Sequence, residues 1–259
     1  MPAFAANLTM LFTEVPFLDR FALAKEAGFS FVEYLFPYDF EATELRRLLD
    51  QQGLRQVLFN LPSGNWGQGD RGIAADPARI NEFRAGVPKA VDYALALGVS
   101  NLNCLAGKRV AGSEDALQRE TLADNLRFAA RLLEAKGLRL MVEACNHFDI
   151  PGFLLNRTEQ ALEVIDAAGA PNIFLQYDVY HAQREEGELV ATLRKHLPRI
   201  GHIQIADNPG RHQPGTGEIN FPFLFQELDR LGYAGHVGLE YIPTPDSRSS
   251  FGWIQAMGY

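Results

Sequence analysis

The sequence predicts an α/β chain folded as one (β/α)8 TIM barrel, and three observations carry that expectation. The chain has 259 residues, close to the usual size of a single eight-unit barrel. Short apolar runs alternate along it with longer segments of helical spacing, the pattern of a parallel sheet covered by helices. Four of those runs carry an oxygen-bearing side chain at or near their C-terminal ends: Glu143 in Leu138–Cys145, Asp178 in Ile173–Asp178, Gln204 in His202–Asp207 and Glu240 in Val237–Glu240. They recur at intervals of about one strand-plus-helix unit, so a barrel would gather all four on one rim.

The elements follow in order. Ala3–Met10 reads as the first strand, and Val15–Gly28 as a helix with a glycine stop. Phe31–Phe36 is the second strand, halted by Pro37, and Glu41–Gln52 the second helix, ended by Gly53. Gln56–Asn60 is the third strand. Leu61–Asp76, LPSGNWGQGDRGIAAD, has no period and reads as a long β3–α3 loop, a length that usually signals function. Pro77–Gly98 is helical, Asn101–Ala106 is the fourth strand, and Ser113–Lys136 is the fourth helix with Ser113 as its cap. The fifth strand holds Glu143 and is followed by helix Thr158–Ala168. Ile173–Tyr177, helix Glu185–His196, Ile200–Ala206, helix Phe221–Leu231 and Val237–Tyr241 complete eight strands, and Pro245–Tyr259 offers a weak last helix. No linker or internal repeat divides residues 1–259, so a single domain is expected.

Composition narrows the function classes. With 47% hydrophobic and 22% charged residues, the chain can fill one large core. No apolar run approaches the roughly 18 residues needed for a membrane span, and the N-terminus lacks the pattern of a signal peptide. A cytoplasmic protein without a membrane partner is the expectation. The net charge of −8 opposes a nucleic-acid backbone, so no nucleic-acid partner is expected either. A small anionic substrate remains compatible, because a metal or a few local cations outweigh distant surface charge. Cys104 and Cys145 fall in or at the end of core strands and read as small buried hydrophobes.

Three carboxylates and an amide converging on one apolar rim call for a cation between them, since like charges there would otherwise repel. The alternative, four unrelated solvated loop residues, does not account for their shared placement. Oxygen donors with no cysteine or paired histidine favour Mg²⁺ or Mn²⁺ over zinc. His181 in QYDVYH is placed to meet a substrate oxygen, as are His147 and Asp149 after Glu143. His202, two residues before Gln204, shares its face one layer deeper and suits a supporting role, and Asp207 follows Gln204 closely. Lys108, Arg71 and Arg211 are loop cations able to take a substrate carboxylate, though each is also an ordinary surface charge. Trp66 is a lid candidate that would serve equally well packed on the rim.

The phrases FAANLTMLFTEVPFLDRF, FPYDF, NLPSGNW, RGIAADP, EACNHFDIPGF, QYDVYHAQREEGEL, GHIQIADNPGRHQPGTGEIN and GLEY resemble the hydroxypyruvate isomerase family. That family lies within the xylose-isomerase-like barrels, which also hold tagatose epimerases and 2-oxo-tetronate isomerases. The resemblance runs from Pro2 to about Trp253. It implies that Glu143 and Glu240 are the paired catalytic glutamates and that Glu143, Asp178, Gln204 and Glu240 ligate a divalent metal. It also puts His181 where epimerase relatives keep a substrate-binding histidine. Gln204 is a departure from those epimerases, which have a metal-ligating histidine there. The implied activity is metal-assisted interconversion of hydroxypyruvate and 2-hydroxy-3-oxopropanoate (tartronate semialdehyde) through an enediolate. The implied partner is thus a small anionic hydroxy-oxo acid, and a homo-oligomer is compatible. A 2-oxo-tetronate isomerase or small ketose epimerase is the neighbouring alternative. Barrel relatives that cut DNA need several zinc ions and a basic groove, which six histidines and an acidic balance do not supply. A non-catalytic sugar-binding protein would have no use for two glutamate bases.

Overall fold

A computed structural model describes residues 2–259. Nine parallel strands form a nearly closed barrel with helices outside: β1 (Ala3–Asn7), β2 (Phe31–Glu33), β3 (Arg55–Gln56), β4 (Leu58–Asn60), β5 (Asn101–Cys104), β6 (Arg139–Glu143), β7 (Ile173–Asp178), β8 (Ile200–Ile205) and β9 (His236–Leu239). Their order is β3-β2-β1-β9-β8-β7-β6-β5-β4. The ninth strand arises because the expected third strand is broken at Val57. Its first half pairs with β2 and its second with β5, so one segment hands the sheet from one neighbour to the other. At the break the Gln56 side-chain amide donates to the Leu58 carbonyl, while Val57 N–H donates to Val32.

The helices are α1 (Arg20–Glu26), α2 (Ala42–Gln52), α3 (Ile80–Leu97), α4 (Asp115–Glu134), α5 (Thr158–Ala168), α6 (Val179–Glu185), α7 (Leu189–His196), α8 (Phe221–Arg230) and α9 (Gly252–Ala256). Three differ from the sequence reading for local reasons. Ser113 does not cap α4: Glu114 occupies the cap position, and the Ser113 hydroxyl is buried without a partner. The helix expected over Glu185–His196 starts only at Leu189, as α7, and an additional helix, α6, precedes it. Asp178 Oδ1 accepts from the N–H groups of Tyr180 and His181, which starts α6 directly at the end of β7. Gly187 and Glu188, both left-handed, then separate it from α7. The first helix begins at Arg20 rather than Val15, because Pro16 leads into a 3-10 turn over Phe17–Asp19.

The weak tail does form a short helix, α9, and its buried Trp253 packs on Phe4 and Phe225. Apolar side chains fill the space between barrel and helices. Ala5, Val57, Leu58 and Met141 form a separate small apolar cluster. The barrel also buries a polar set, Asn7, Glu33, Asn60, Asn103, Gln176, His202 and Gln204, contributed by β1, β2, β4, β5, β7 and β8. Among the described residues no helix is long and apolar enough to cross a membrane.

Candidate active site

The barrel's C-terminal mouth opens into a cavity of about 570 Å³. Glu143, the last residue of β6, and Glu240, one residue past β9, both line it, with Cys145, Asp149, Tyr180, His181, Arg184, Arg211, Trp66 and Arg71. Asp178 and Gln204 do not line it, but Arg211, which does, sets one guanidinium nitrogen 3.0 Å from Glu240 Oε1 and 3.5 Å from Asp178 Oδ2. The four sequence-derived ligand candidates thus lie at the strand ends expected for them, and an arginine from the β8–α8 loop reaches two of them. Arg211 is held left-handed (φ 56°), with its carbonyl accepting from Ile242 N–H. Such strained backbone at a non-glycine residue costs on the order of 1–3 kcal/mol and persists only where surroundings fix it.

Burial governs the electrostatics. It pushes the Glu143 carboxyl up to about 8, with Asp178 adding to the rise and Arg211 opposing it. Burial also raises Glu240 well above the carboxylate range and raises Asp178, again against Arg211. The same burial holds His181 neutral, far below its usual value. Two N–H groups of Asn146, one backbone and one side-chain, point at His181 Nδ1, so its hydrogen resides on Nε2, 3.7 Å from Asp178 Oδ2. His181 is therefore a fixed neutral donor facing the carboxylates.

The residues fit a divalent cation. Asp178 Oδ2 is buried with no hydrogen-bond partner, the Arg211 guanidinium standing off at 3.5 Å, so it keeps acceptor capacity that an ion could use. A second grouping exists as well: ligand atoms of Glu143, Cys145 and His181, all buried, lie within 4.8 Å of one another. The Cys145 thiol is pushed well above its usual value by burial and the neighbouring glutamate, so it offers a neutral sulfur rather than the thiolate that soft metals take. Both cysteines are free and buried, but Cys145 is part of the cavity wall and not only core.

Beneath the mouth lies a carboxylate that sequence reasoning missed. Glu33, at the end of β2, is fully buried and accepts from Asn7 Nδ2 (3.0 Å) and Gln204 Nε2 (2.8 Å), with His202 Nε2 at 2.7 Å. A Cβ at Gly238 on β9, the strand on the far side of β1 from β2, would overlap this carboxylate, so glycine there leaves room for Glu33. Gln204 Oε1 accepts from Gln176 Nε2 at 2.7 Å, and Asn103 bridges Asn60 and Glu143 Oε2. His202 therefore does sit one layer deeper, as its spacing predicts, and it acts on Gln204 through Glu33. The signal for Glu33, a lone carboxylate in the apolar run FVEYLF, is the same one that marks Glu143.

The remaining candidates divide. His147 is half-exposed, pairs with Glu185 at 2.6 Å, and does not line the cavity. Lys108 is also absent from the lining and donates to the Gly69 carbonyl across the mouth loop. Asp207 is a scaffold: its two oxygens accept backbone N–H from Asn208, Gly215, Gly217 and Ile219. Trp66 lines the cavity and packs edge-on against Phe36. Arg184, which no local pattern marks, also lines the cavity, tied to Asp149 at 2.6 Å and to the Tyr180 hydroxyl at 2.9 Å.

A family model described as xylose isomerase-like TIM barrel matches residues 21–257. The hydroxypyruvate isomerase of Escherichia coli is 48% identical over 254 residues, covering 98% of both chains. A 2-oxo-tetronate isomerase of Cupriavidus necator is 44% identical over 255 residues, again covering 98% of both. A solved structure from Brucella melitensis, described as an AP endonuclease of family 2, superposes with a TM-score of 0.96 at 43% identity and 99% coverage of both chains.

Proposed function

The chain belongs to the xylose isomerase-like TIM barrel family, and we propose that it is an isomerase interconverting hydroxypyruvate and 2-hydroxy-3-oxopropanoate by proton transfer between C3 and C2. The observation that carries this reading is the pair Glu143 and Glu240, two buried glutamates from β6 and the end of β9 that line one cavity. Binding alone has no use for two bases; moving a proton between adjacent carbons does.

Glu143, Asp178 and Glu240 would hold a divalent cation, Mg²⁺ or Mn²⁺ by the hardness of their oxygen donors, with Gln204 joining them through the second lone pair of the oxygen that accepts from Gln176. When bound, such an ion stabilises negative charge on a substrate oxygen. One glutamate removes a proton from C3 of hydroxypyruvate, giving an enediolate, and the other delivers a proton to C2. The C3 hydroxyl hydrogen ends on the C2 oxygen, so the product carries an aldehyde at C3 and a hydroxyl at C2 with no change in atom count. His181 Nε2–H suits a hydrogen bond to one of the two reacting oxygens. Glu33, by accepting from the Gln204 amide nitrogen, turns the Gln204 oxygen the other way, toward the β7 side of the barrel where Gln176 meets it.

The identity to a 2-oxo-tetronate isomerase supports a second reading in which the substrate is one carbon longer and the chemistry unchanged. An endonuclease reading, which the Brucella description would suggest, has no basis in a chain of net charge −8 whose described cavity lining holds one histidine. Proton NMR of each acid with the protein, in Mg²⁺, in Mn²⁺ and in chelator, is the test. Conversion of hydroxypyruvate that chelator abolishes is expected; conversion of the four-carbon acid alone would move the substrate assignment, and no conversion of either would overturn the function.

A further inference from the structure

Three arginines line the cavity: Arg71, Arg184 and Arg211. Two are already neutralised. Arg211 is set against Glu240 and Asp178, and Arg184 against Asp149. Arg71 differs. Its Nη1 donates only to backbone carbonyls, those of Trp66 (3.2 Å) and Asp70 (2.6 Å), and its guanidinium carbon lies 4.2 Å from the centre of the Trp66 ring. The neighbouring carboxylate of Asp70 is taken by Arg79 at 2.9 Å. Among the described residues Arg71 therefore faces the cavity with a full positive charge, no acidic partner, and Nε and Nη2 unengaged.

This cation is also held in place. Gly72 has φ +110°, and a Cβ there would overlap the Leu105 carbonyl, while a Cβ at Gly107 would overlap the Gly72 carbonyl. The two glycines let the mouth loop lie directly on the segment after β5. Gly72 N–H donates to Ser63 and Ala75 N–H to Ala106, and Lys108 ties down Gly69. Trp66 supplies a flat wall for the guanidinium and is itself braced by Phe36. A planar, pre-positioned guanidinium with two free donors matches a carboxylate, because Arg binds that group through paired N–H bonds and loses little freedom when already fixed.

We propose that Arg71 is the specificity residue for the substrate's carboxylate, so that the cavity selects small 2-oxo or 2-hydroxy acid anions over neutral hydroxyketones. The assignment rests on the isomerase reading only for the identity of the reaction; recognition of the anion is a property of the cavity itself. The long loop over Leu61–Asp76 is, on this account, a fixed binding wall that brings Arg71 and Trp66 to the mouth.

Two measurements test it. The first is calorimetric binding of tartronate, a stable three-carbon hydroxy-diacid, to the whole protein, to Arg71→Gln and to Arg71→Lys, with thermal melts to verify folding. Affinity should fall by about 100-fold in Arg71→Gln, the usual cost of removing a charged hydrogen-bonding partner, and recover in part in Arg71→Lys. Unchanged affinity in a folded Arg71→Gln, or no tartronate binding by the unaltered protein, would overturn the assignment. The second compares solvent-deuterium exchange into hydroxypyruvate and into dihydroxyacetone, in which a neutral CH2OH replaces the carboxylate. Arg71→Gln should raise KM for hydroxypyruvate while leaving exchange into dihydroxyacetone within about 3-fold, a change that size being under 1 kcal/mol. Equal losses on both substrates would make Arg71 a structural residue and refute the proposal. Arg71-dependent tartronate binding without turnover of either acid would uphold the anion site while removing the isomerase reading. Gly72→Ala, which displaces the loop without touching the charge, should weaken tartronate binding in the same direction.

Discussion

Two sets of buried carboxylates share the inside of this barrel, and they are equipped differently. Glu33, one layer down, is saturated: Asn7, Gln204 and His202 all reach it. At the mouth, among the described residues, Asp178 Oδ2 has no hydrogen-bond partner and only an ion-pair contact with Arg211 at 3.5 Å, and Glu240 Oε1 accepts from the same Arg211. A buried acid whose acceptor sites are filled contributes order, whereas one with acceptor sites left open carries a desolvation cost that Arg211 offsets in part and a ligand or ion would relieve further. On the proposed function the lower layer builds the site and the upper layer carries the chemistry, and separating stability from activity by mutation is the way to test that division.

The largest effect is expected at the mouth. Glu143→Gln and Glu240→Gln should each lower turnover by about 10³-fold or more, the range of general acid–base catalysis. Both variants should stay folded in thermal melts, since the amide keeps the shape of a carboxyl group that burial already drives toward its neutral form. Loss of folding alongside activity would erase the distinction. Glu33→Ala should do the opposite, removing about 3–5 kcal/mol of stability in urea titrations because three buried donors lose their acceptor; a cost under about 1 kcal/mol would show that the layer is not under-pinned as described. Asp207→Ala comes next, at about 2–3 kcal/mol for four orphaned backbone N–H groups. Limited proteolysis should then cut within 207–219, the loop that presents Arg211.

The smallest effect lies on the barrel wall. His236, tilted against Phe31 with ring centroids 4.4 Å apart, is held down to about 4 from 6.5, first by burial and then by His202 and Arg55. Its folded value is depressed, so the unfolded chain takes up a proton that the folded chain refuses. Stability should decline as pH falls from 6.5 toward 4 and then level off, and His236→Phe should flatten that slope. An identical slope in the variant, measured by urea midpoint against pH, would remove His236 from the account.

Much of this was readable from one chain. Glu143, Asp178, Gln204 and Glu240 could be placed because a polar residue closing an apolar run marks the end of a barrel strand, and the fold brought all four to one end. Glu33 gives the same local signal, but its role depends on Gln204 and His202, roughly 170 positions away, as the hydrogen-bond separations of 171 and 169 record. Arg184 and Asn103 were invisible for the same reason: their sequence neighbourhoods are an ordinary helix and an ordinary strand. The break at Val57 and the split of α6 from α7 turn on single hydrogen bonds and left-handed residues that periodicity averages away. His147 was a candidate by its proximity to Glu143 and Lys108 as a loop cation, and the side chains turn to Glu185 and to the Gly69 carbonyl.

The most direct test of the central claim is conversion of hydroxypyruvate in D₂O, followed by NMR for the unaltered protein, Glu143→Gln and Glu240→Gln with Mg²⁺ or Mn²⁺ present. The account predicts product bearing carbon-bound deuterium at C2 from the unaltered protein and conversion lost in each variant. Undiminished conversion in both variants would contradict it, because the two glutamates at the mouth would then not be the groups that move the proton.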